Sequence, residues 1–227
     1  MQGRAVRQLL RAATSATLAT LDAQTGHPYG SLVEIATTPD AQPLLLISRL
    51  ARHTRNLDRD PRASLLIDQR GRAAAPMTAE RATIIGRVSR SDDEDDRRRY
   101  LARHPAAAPY ADFADFGFQR LSVGGAHLIA GFGRIGEIAG QEVVLDAALV
   151  AKLADQEAEV CETVNAIAAR EGVDARIVGL DVEGLDFSHH GQIMRHSLEI
   201  DPNLLIQRDK MCRLIIDAMA GAARRSQ

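Results

Sequence analysis

The sequence is short of cysteine, tryptophan and lysine, and it carries no surplus of charge of one sign. Of its 227 residues, two are cysteine, none is tryptophan, and lysine supplies only two of the 28 basic residues. Cys161 and Cys212 lie in helical-looking sequence with no cluster of ligand residues beside them, so neither a disulfide scaffold nor a zinc motif is predicted. The net charge of −2 argues against a general nucleic-acid-binding protein.

Long apolar runs are also absent. No stretch approaches the ~18 consecutive apolar residues of a membrane-spanning helix, and the N-terminus has arginines but no apolar segment typical of a signal peptide. We therefore expect a cytoplasmic protein with neither membrane nor nucleic-acid partners. The preference for arginine over lysine suits anion binding. Because the arginines are spread over the whole chain, GC-rich coding explains this preference equally well.

Short apolar runs separated by turn residues dominate the first part of the chain. Five of them predict strands, at residues 17–22, 30–38, 43–48, 62–69 and 81–90. The third, Pro43–Ser48, is almost wholly apolar and should be buried on both sides. The glycine-interrupted stretch Val123–Ile138 is strand-like as well. Because the turns between the first runs are short, the strands are predicted to pair antiparallel with their neighbours.

Helical spacing appears at both ends of the chain and between the strands. It predicts helices at residues 4–13, within 50–61, from Ser91 onwards, at about 146–171 and at about 202–223. In the third of these, Ser91 and Glu94 fit a capping box, and its charge run predicts a solvated face. A change of composition near Gln141 places a domain boundary there. The predicted fold class is α+β: an antiparallel β-barrel with flanking helices over 1–141, and a smaller α+β domain over 142–227.

The segment Ile47–Leu57 is the first candidate site. It follows a buried strand and carries hydroxyls, cations and the free N–H groups of a helix start, which together suit a phosphate. The alternative is an ordinary exposed strand-to-helix connection in an arginine-rich protein. The residues alone leave both interpretations open.

Several motifs in the same order resemble a known family. They are ATLATLDAQTGHPYGSLVEIA, PLLLISRLARHTRNLDRDPRASLLI, RATIIGRVSR and, further on, RRRYLARHP, YADFADFGFQRL and AHLIAGFGRIGEI. Together they resemble the pyridoxamine 5′-phosphate oxidase-like FMN-binding split barrel, and the later motifs resemble its haem-utilisation branch, whose members carry a small C-terminal α+β domain. The resemblance is strong over residues 5–138 and weak over 145–225.

The resemblance implies an FMN site at a homodimer interface, in an oxidoreductase acting on a small molecule. Ser31, Leu32 and Val33 would run along the isoalloxazine ring. Arg81 and Thr83 would come from the strand that the partner subunit lends to the flavin. The residues assigned to the phosphate and its surroundings are Ser48, Arg52, His53, Thr54 and Asn56. No residue is a convincing general acid or base, so no catalytic residue is assigned, and the cofactor would carry the redox chemistry.

The chain also departs from the family. Ala82 stands where related flavin oxidases often have glutamine, and the phosphate segment reads His53-Thr54 in place of an Arg-Lys pair. The tryptophan-containing C-terminal segment of the vitamin B6 enzymes has no counterpart here. Oxidation of pyridoxamine phosphate itself is therefore not expected.

Haem is the alternative ligand. Arg134, in the glycine-flanked segment Gly131–Gly136, could meet a propionate; this segment is not a dinucleotide-binding motif, because no βαβ unit surrounds it. An imidazole is the usual haem ligand, and the candidates are His127, His189, His190 and His196. His189 and His190 lie on a predicted hairpin turn, where a histidine is usually a surface residue.

Two departures count against haem degradation in the sequence. Relatives use a histidine near the C-terminus, whereas here no histidine follows His196, and their His-rich helix is replaced by EAEVCETVNAIAAR. The sequence therefore favours an FMN-dependent oxidoreductase, with a flavin-free haem-binding or haem-degrading protein as the alternative. A ligand-stabilised assembly role without turnover is a third possibility.

Overall fold

A computed structural model describes residues 2–68, 79–130, 135–198 and 208–224 of the chain. The chain divides into two compact units, residues 1–145 and 146–227. Composition predicts this boundary after residue 141, and the assignment of an FMN-binding function to the first unit stays a prediction.

The described part of the first unit is built on one curled antiparallel sheet. Its strands are β1 (Ser15–Leu21), β2 (Pro28–Glu34), β3 (Ala36–Thr37), β4 (Pro43–Ser48), β5 (Arg62–Asp68), β6 (Arg81–Arg90), β7 (Phe116–Ile129) and β8 (Ile135–Ala139). They lie in the order β2-β1-β5-β6-β7-β4-β3, and β8 pairs with β7. This is a split barrel with flanking helices, and it confirms the predicted fold class.

Strand β4 is buried on both of its faces, as its sequence predicts. Leu45 and Ile47 lie in the main core, and Leu44 and Leu46 lie in a second apolar cluster around Tyr100. Because successive side chains of a strand point to opposite faces, an unbroken apolar run is what a strand between two cores requires.

The helices of the first unit cover the edges of these two cores. They are α1 (Gln2–Ala12), α2 (Arg52–Arg59), α3 (Glu94–Arg103) and the single turns α4 (Ala108–Ala111) and α5 (Gly140–Val143). In α1, Val6, Leu9 and Leu10 occupy one face and are almost completely buried in the main core. The predicted amphipathic helix at the start of the chain is therefore confirmed.

Helix α3 begins two residues later than its sequence predicts. The helix starts at Glu94, and its N-cap is Asp93, whose carboxylate accepts a hydrogen bond from the N–H of Asp95 at 2.9 Å. Ser91 lies outside the helix and donates its hydroxyl to Asp96 at 2.5 Å. The predicted capping box of Ser91 and Glu94 is wrong, because Asp93 is an equally good cap and occupies the position.

The face of α3 that was predicted to be solvated is partly buried. Asp96, Arg99 and Arg103 are at most 6% exposed. Arg99 Nε donates to the carbonyl oxygen of Thr37 at 2.8 Å, and Asp96 accepts from Arg120 at 2.6 Å. These charged side chains are thus hydrogen-bonded inside the unit, to an opposite charge or to backbone carbonyls, which is the condition under which such residues can be buried.

The second unit packs helices against a three-stranded antiparallel sheet. Its elements are α6 (Ala147–Ala154), α7 (Glu157–Arg170), β9 (Arg176–Asp181), β10 (Gly184–His189), β11 (Gln192–Ser197) and α8 (Arg208–Arg224). The single helix predicted for residues 146–171 is two helices separated at Asp155 and Gln156. Phe187 of β10 lies at the centre of the core, fully buried.

The sequence predicts a hairpin turn at Ser188–Gly191, and the structure has a two-residue turn there between β10 and β11. His189 pairs with Gln192, and His190 and Gly191 between them have φ values of +48° and +76°. Positive φ at both central residues is typical of a type I′ turn. Among the helices of the described residues, none is long and apolar enough to cross a membrane.

Candidate functional site

The turn from β4 into α2 brings together the hydroxyls that the sequence assigns to a phosphate. Thr54 Oγ1 donates to the carbonyl oxygen of Ser48 at 2.7 Å. The Ser48 hydroxyl donates to Asp115 Oδ2 at 2.5 Å and accepts from the N–H of Leu50 at 3.1 Å. In this structure both hydroxyls stabilise the turn itself, and a carboxylate stands beside Ser48.

Arg52, the central cation of the same segment, is paired with a buried carboxylate. Its Nε donates to Asp22 Oδ2 at 2.7 Å, and its guanidinium lies 4.9 Å from the centre of the Tyr29 ring. Asp22 also accepts from the hydroxyl of Thr25 at 2.8 Å. The hydrogen bond from Arg52 is the main cause that holds the pKa of Asp22 well below its ordinary value, and Asp22 in turn raises the pKa of Arg52.

His53 and Asn56 face the first strands of the sheet. His53 Nδ1 lies 3.1 Å from the hydroxyl of Ser31, and its Nε2 is buried without a hydrogen-bond partner in the described structure. Burial lowers the pKa of His53, which favours the neutral imidazole. Asn56 is 1% exposed, donates to Thr20 at 3.0 Å and accepts from the N–H of Ala23 at 2.9 Å. Asn56 therefore joins α2 to β1.

A second group of residues lies on the opposite face of the sheet, which we call the outer face. Residues that pair directly across neighbouring strands lie on the same face. One line of such pairs crosses β2, β1, β5, β6, β7 and β8, and we call it the transverse row: Leu32, Thr17, Leu66, Thr83, His127 and Glu137. Leu32 is 78% exposed, so this face is open in the single chain and carries exposed apolar side chains beside polar ones.

The next line of pairs on the outer face consists mostly of small residues. This small-residue row contains Gly30, Ala19, Ser64, Ile85, Gly125 and Ala139. Ile85 is 50% exposed and Ile135 of β8 is 63% exposed. Small side chains beside exposed apolar ones leave a shallow, flat surface, on which a planar ring could lie.

The predicted site residues therefore divide into two groups within one chain. Ser31, Ser48, Arg52, His53, Thr54 and Asn56 surround α2. Leu32, Thr83 and Arg81, whose side chain alternates to the same side as Thr83, belong to the outer face. Val33 is 7% exposed and lies in the main core, and Arg134 lies outside the described residues.

A cavity of about 320 Å³ opens beside α2. Its lining includes Arg49, Asp58, Arg90 and Phe116, and Thr54 is the one predicted site residue that it contains. The cavity therefore does not unite the two groups.

The candidate histidines also separate. His127 lies on the outer face, its side chain 35% exposed and its Nε2 3.9 Å from Glu137 Oε1. His189 and His190 lie in the second unit, where their ligand atoms and one of Asp174 are within 4.8 Å of one another. His196 pairs with Leu185 in the same small sheet.

Three carboxylates near these groups are missed by the sequence patterns. Asp22 belongs to the predicted turn after β1, which indicates its local role but not its contact with Arg52. Asp115 lies in the aromatic segment before β7, and Asp174 lies 15 residues from His189, so no spacing motif connects them to their partners.

Comparison with known proteins agrees with this architecture. The family model described as "Pyridoxamine 5'-phosphate oxidase" matches residues 3–125. A curated relative, the "Non-canonical heme oxygenase HOZ, chloroplastic" of Arabidopsis thaliana, is 40% identical over 98 residues, which are 42% of this chain and 30% of that protein. The chain thus spans less than a third of the length of this relative.

Two solved structures resemble nearly the whole chain. The protein Atu2129 of Agrobacterium tumefaciens, described as of unknown function, has a TM-score of 0.77 at 26% identity and 93% coverage of both chains. A heme binding protein from Mycobacterium smegmatis has a TM-score of 0.61 at 24% identity, covering 99% of this chain and 98% of its own. The latter likeness concerns the fold. The predicted resemblance to the split-barrel superfamily and its haem-utilisation branch is confirmed, and the chain belongs to the pyridoxamine 5′-phosphate oxidase family.

Proposed function

We propose that this protein binds haem on the outer face of its first unit, as a haem-binding or haem-degrading member of its family. The observation that carries the proposal is the 40% identity, over 98 residues, with a protein named a heme oxygenase. This reverses the order that the sequence favours, because the relatives support haem better than FMN.

The surface chemistry of the outer face suits a porphyrin. A porphyrin is flat and largely apolar, so its burial needs exposed apolar side chains around a surface without bulky obstruction. Ile85 and Ile135 are exposed there, and the small-residue row provides Gly125 and Ala139.

His127 is the residue that we propose for the iron. It is half-buried in the transverse row, and a carboxylate of Glu137 stands 3.9 Å away. Arg81, two residues from Thr83 on the same strand, supplies a cation for a propionate. Bound haem would supply an iron centre for oxygen chemistry.

The arrangement around α2 suits FMN less well. Arg52 is compensated by Asp22, and Ser48 donates to Asp115. A flavin phosphate at this position would have to displace one carboxylate and approach the other, which costs electrostatic free energy. FMN stays the second candidate, favoured by the convergence of Ser48, Arg52 and Thr54 at the start of α2.

The proposal includes a symmetric homodimer. The end of the outer face over β2, β1 and β5 carries Leu32, which is 78% exposed, and Leu66, which is 36% exposed. Exposed apolar side chains on an open sheet face are typical of an interface. A second copy can cover this end, while the end over β6 to β8 remains for the ligand.

Absorbance titration tests the proposal. We expect haem to give a Soret band with 1:1 stoichiometry, and His127→Ala to bind haem about tenfold or more weakly, since it loses the ligand to iron. His27→Ala, on the exposed β1–β2 turn, is the matched control and should bind like the wild type. Loss of the Soret band upon adding a reductant in air distinguishes degradation from binding alone.

The same titration, carried out with FMN as well as haem, distinguishes the two cofactors. A protein that takes up FMN stoichiometrically and ignores haem would overturn the haem proposal. Haem binding that is equal in wild type and His127→Ala would instead show that His127 is not the ligand to iron.

A further inference from the structure

The second unit contains a cluster of metal-ligand side chains that the proposed haem site does not use. Asp174 lies in the connection from α7 to β9, and His189 and His190 lie at the tip of the β10–β11 hairpin. One ligand atom from each of the three lies within 4.8 Å of the others. Residues from two different connections therefore converge at one end of the small sheet.

His189 is prepared as a ligand by its surroundings. It is 6% exposed, and its Nδ1–H donates to the backbone carbonyl oxygen of Asp174. With that proton fixed on Nδ1, the lone pair of the neutral ring is on Nε2, which is buried and has no hydrogen-bond partner within the described ranges. A backbone carbonyl that fixes the tautomer of a histidine is a common feature of metal sites.

The other two ligands are exposed and free to adjust. His190 Nδ1 lies 3.5 Å from Asp174 Oδ2, and the rings of His189 and His190 are 4.1 Å apart. A tetrahedral ion with bonds of ~2.0–2.2 Å needs donors ~3.3–3.6 Å apart. Because the side chains of His190 and Asp174 are 65% and 77% exposed, small rotations suffice to reach this spacing.

The donor set selects the class of ion. Two imidazoles and one carboxylate suit zinc, nickel or copper(II), whereas calcium and magnesium prefer ligand sets made wholly of oxygen. Three protein ligands leave a coordination position for water or another molecule. We propose that Asp174, His189 and His190 bind one divalent first-row transition ion, which ties the α7–β9 connection to the hairpin tip. This proposal does not rest on haem binding.

Metal titration of the full-length, untagged protein tests the site. After treatment with a chelator, we expect one zinc ion to bind per chain by calorimetry, cobalt(II) to give visible absorption bands, and zinc to raise the melting temperature. His190→Asn keeps a residue that tolerates positive φ in the turn, and Asp174→Asn changes an exposed position. Each should weaken zinc binding about tenfold or more.

His196→Asn is the matched control, because it removes a histidine from β11 of the same sheet and should leave zinc binding unchanged. Zinc binding that is absent in the wild type, or equal in His190→Asn and Asp174→Asn, would overturn the proposal. A haem titration of His190→Asn should match the wild type, so failure of the haem proposal and failure of the metal proposal are measured separately.

Discussion

At the scale of residues, the segment that suggests a phosphate site is hydrogen-bonded to carboxylates of the protein itself. Asp22 and Asp115 accept hydrogen bonds from Arg52 and Ser48, which are the side chains that would otherwise contact the anion. Residue types that bind anions indicate an anion site only where no acidic side chain of the protein already accepts their hydrogen bonds. Those acidic side chains come from distant parts of the chain. This is why the residues alone left the interpretation of this segment open, while they predicted the strands around it directly.

His53 gives the protein a specific response to acid. Burial holds its pKa below the ordinary value of 6.5 in the folded state, so the unfolded state takes up the proton first as the pH falls. The contribution of His53 to stability is therefore complete above pH 6.5 and is lost as the pH falls through the folded pKa.

We expect the free energy of unfolding in urea to fall as the pH drops below about 6.5, and to fall less in His53→Gln. His104 has a pKa lowered by burial in the same way and is present in both proteins, so the difference between them isolates His53. Identical pH dependence of the two proteins would contradict this assignment.

At the scale of elements, Gly86 is the position where β6 can least accept a side chain. The pairing of β6 with β7 shifts register between Ile85 and Gly86, and a Cβ at Gly86 would lie 2.1 Å from the carbonyl oxygen of Ser122. Because the obstructing atom belongs to the backbone, the strands would have to separate.

We expect Gly86→Ala to lower the free energy of unfolding by about 1–3 kcal/mol, measured by denaturant titration. Gly117→Ala in β7 is the control, because its Cβ would meet nothing closer than a side-chain atom of Gln119 at 3.7 Å. Equal free energies of unfolding for the two variants would mean that β6 and β7 can move apart at Gly86 at little cost.

The elements themselves were largely predictable, and the burial of charged side chains was not. Alternating or continuous apolar runs predicted β1, β4 and β6, since burial on one or both faces sets the pattern directly. Helix α3 was predicted with a solvated face because its sequence is charged, yet Asp96 and Arg99 are buried by contacts with Arg120 and Thr37. Long-range pairing of charges leaves no periodic signal in a sequence.

The outer face could not be found by any local motif. Leu32 and His127 belong to one row only because four intervening pairs across β1, β5, β6 and β7 align them. Register is a property of the folded sheet, and the sequence shows each of these residues as an isolated strand position.

At the scale of the whole molecule, the outer face predicts self-association. We expect the wild type to be a dimer by light scattering and Leu32→Glu to be a monomer, since a buried charge opposes association. Leu149→Glu changes a 48% exposed leucine of the second unit and should remain dimeric. A wild type that is monomeric at all concentrations would contradict the dimer.

Strand β7 has a consequence for how the molecule is made. One of its edges pairs with β6, and the other is shared by β4 and β8. Until β7 has emerged from the ribosome, β4 and β6 of the nascent chain each expose an edge that β7 covers in the folded unit. Emergence of β7 therefore removes two open strand edges, which are sites of aggregation in a growing chain.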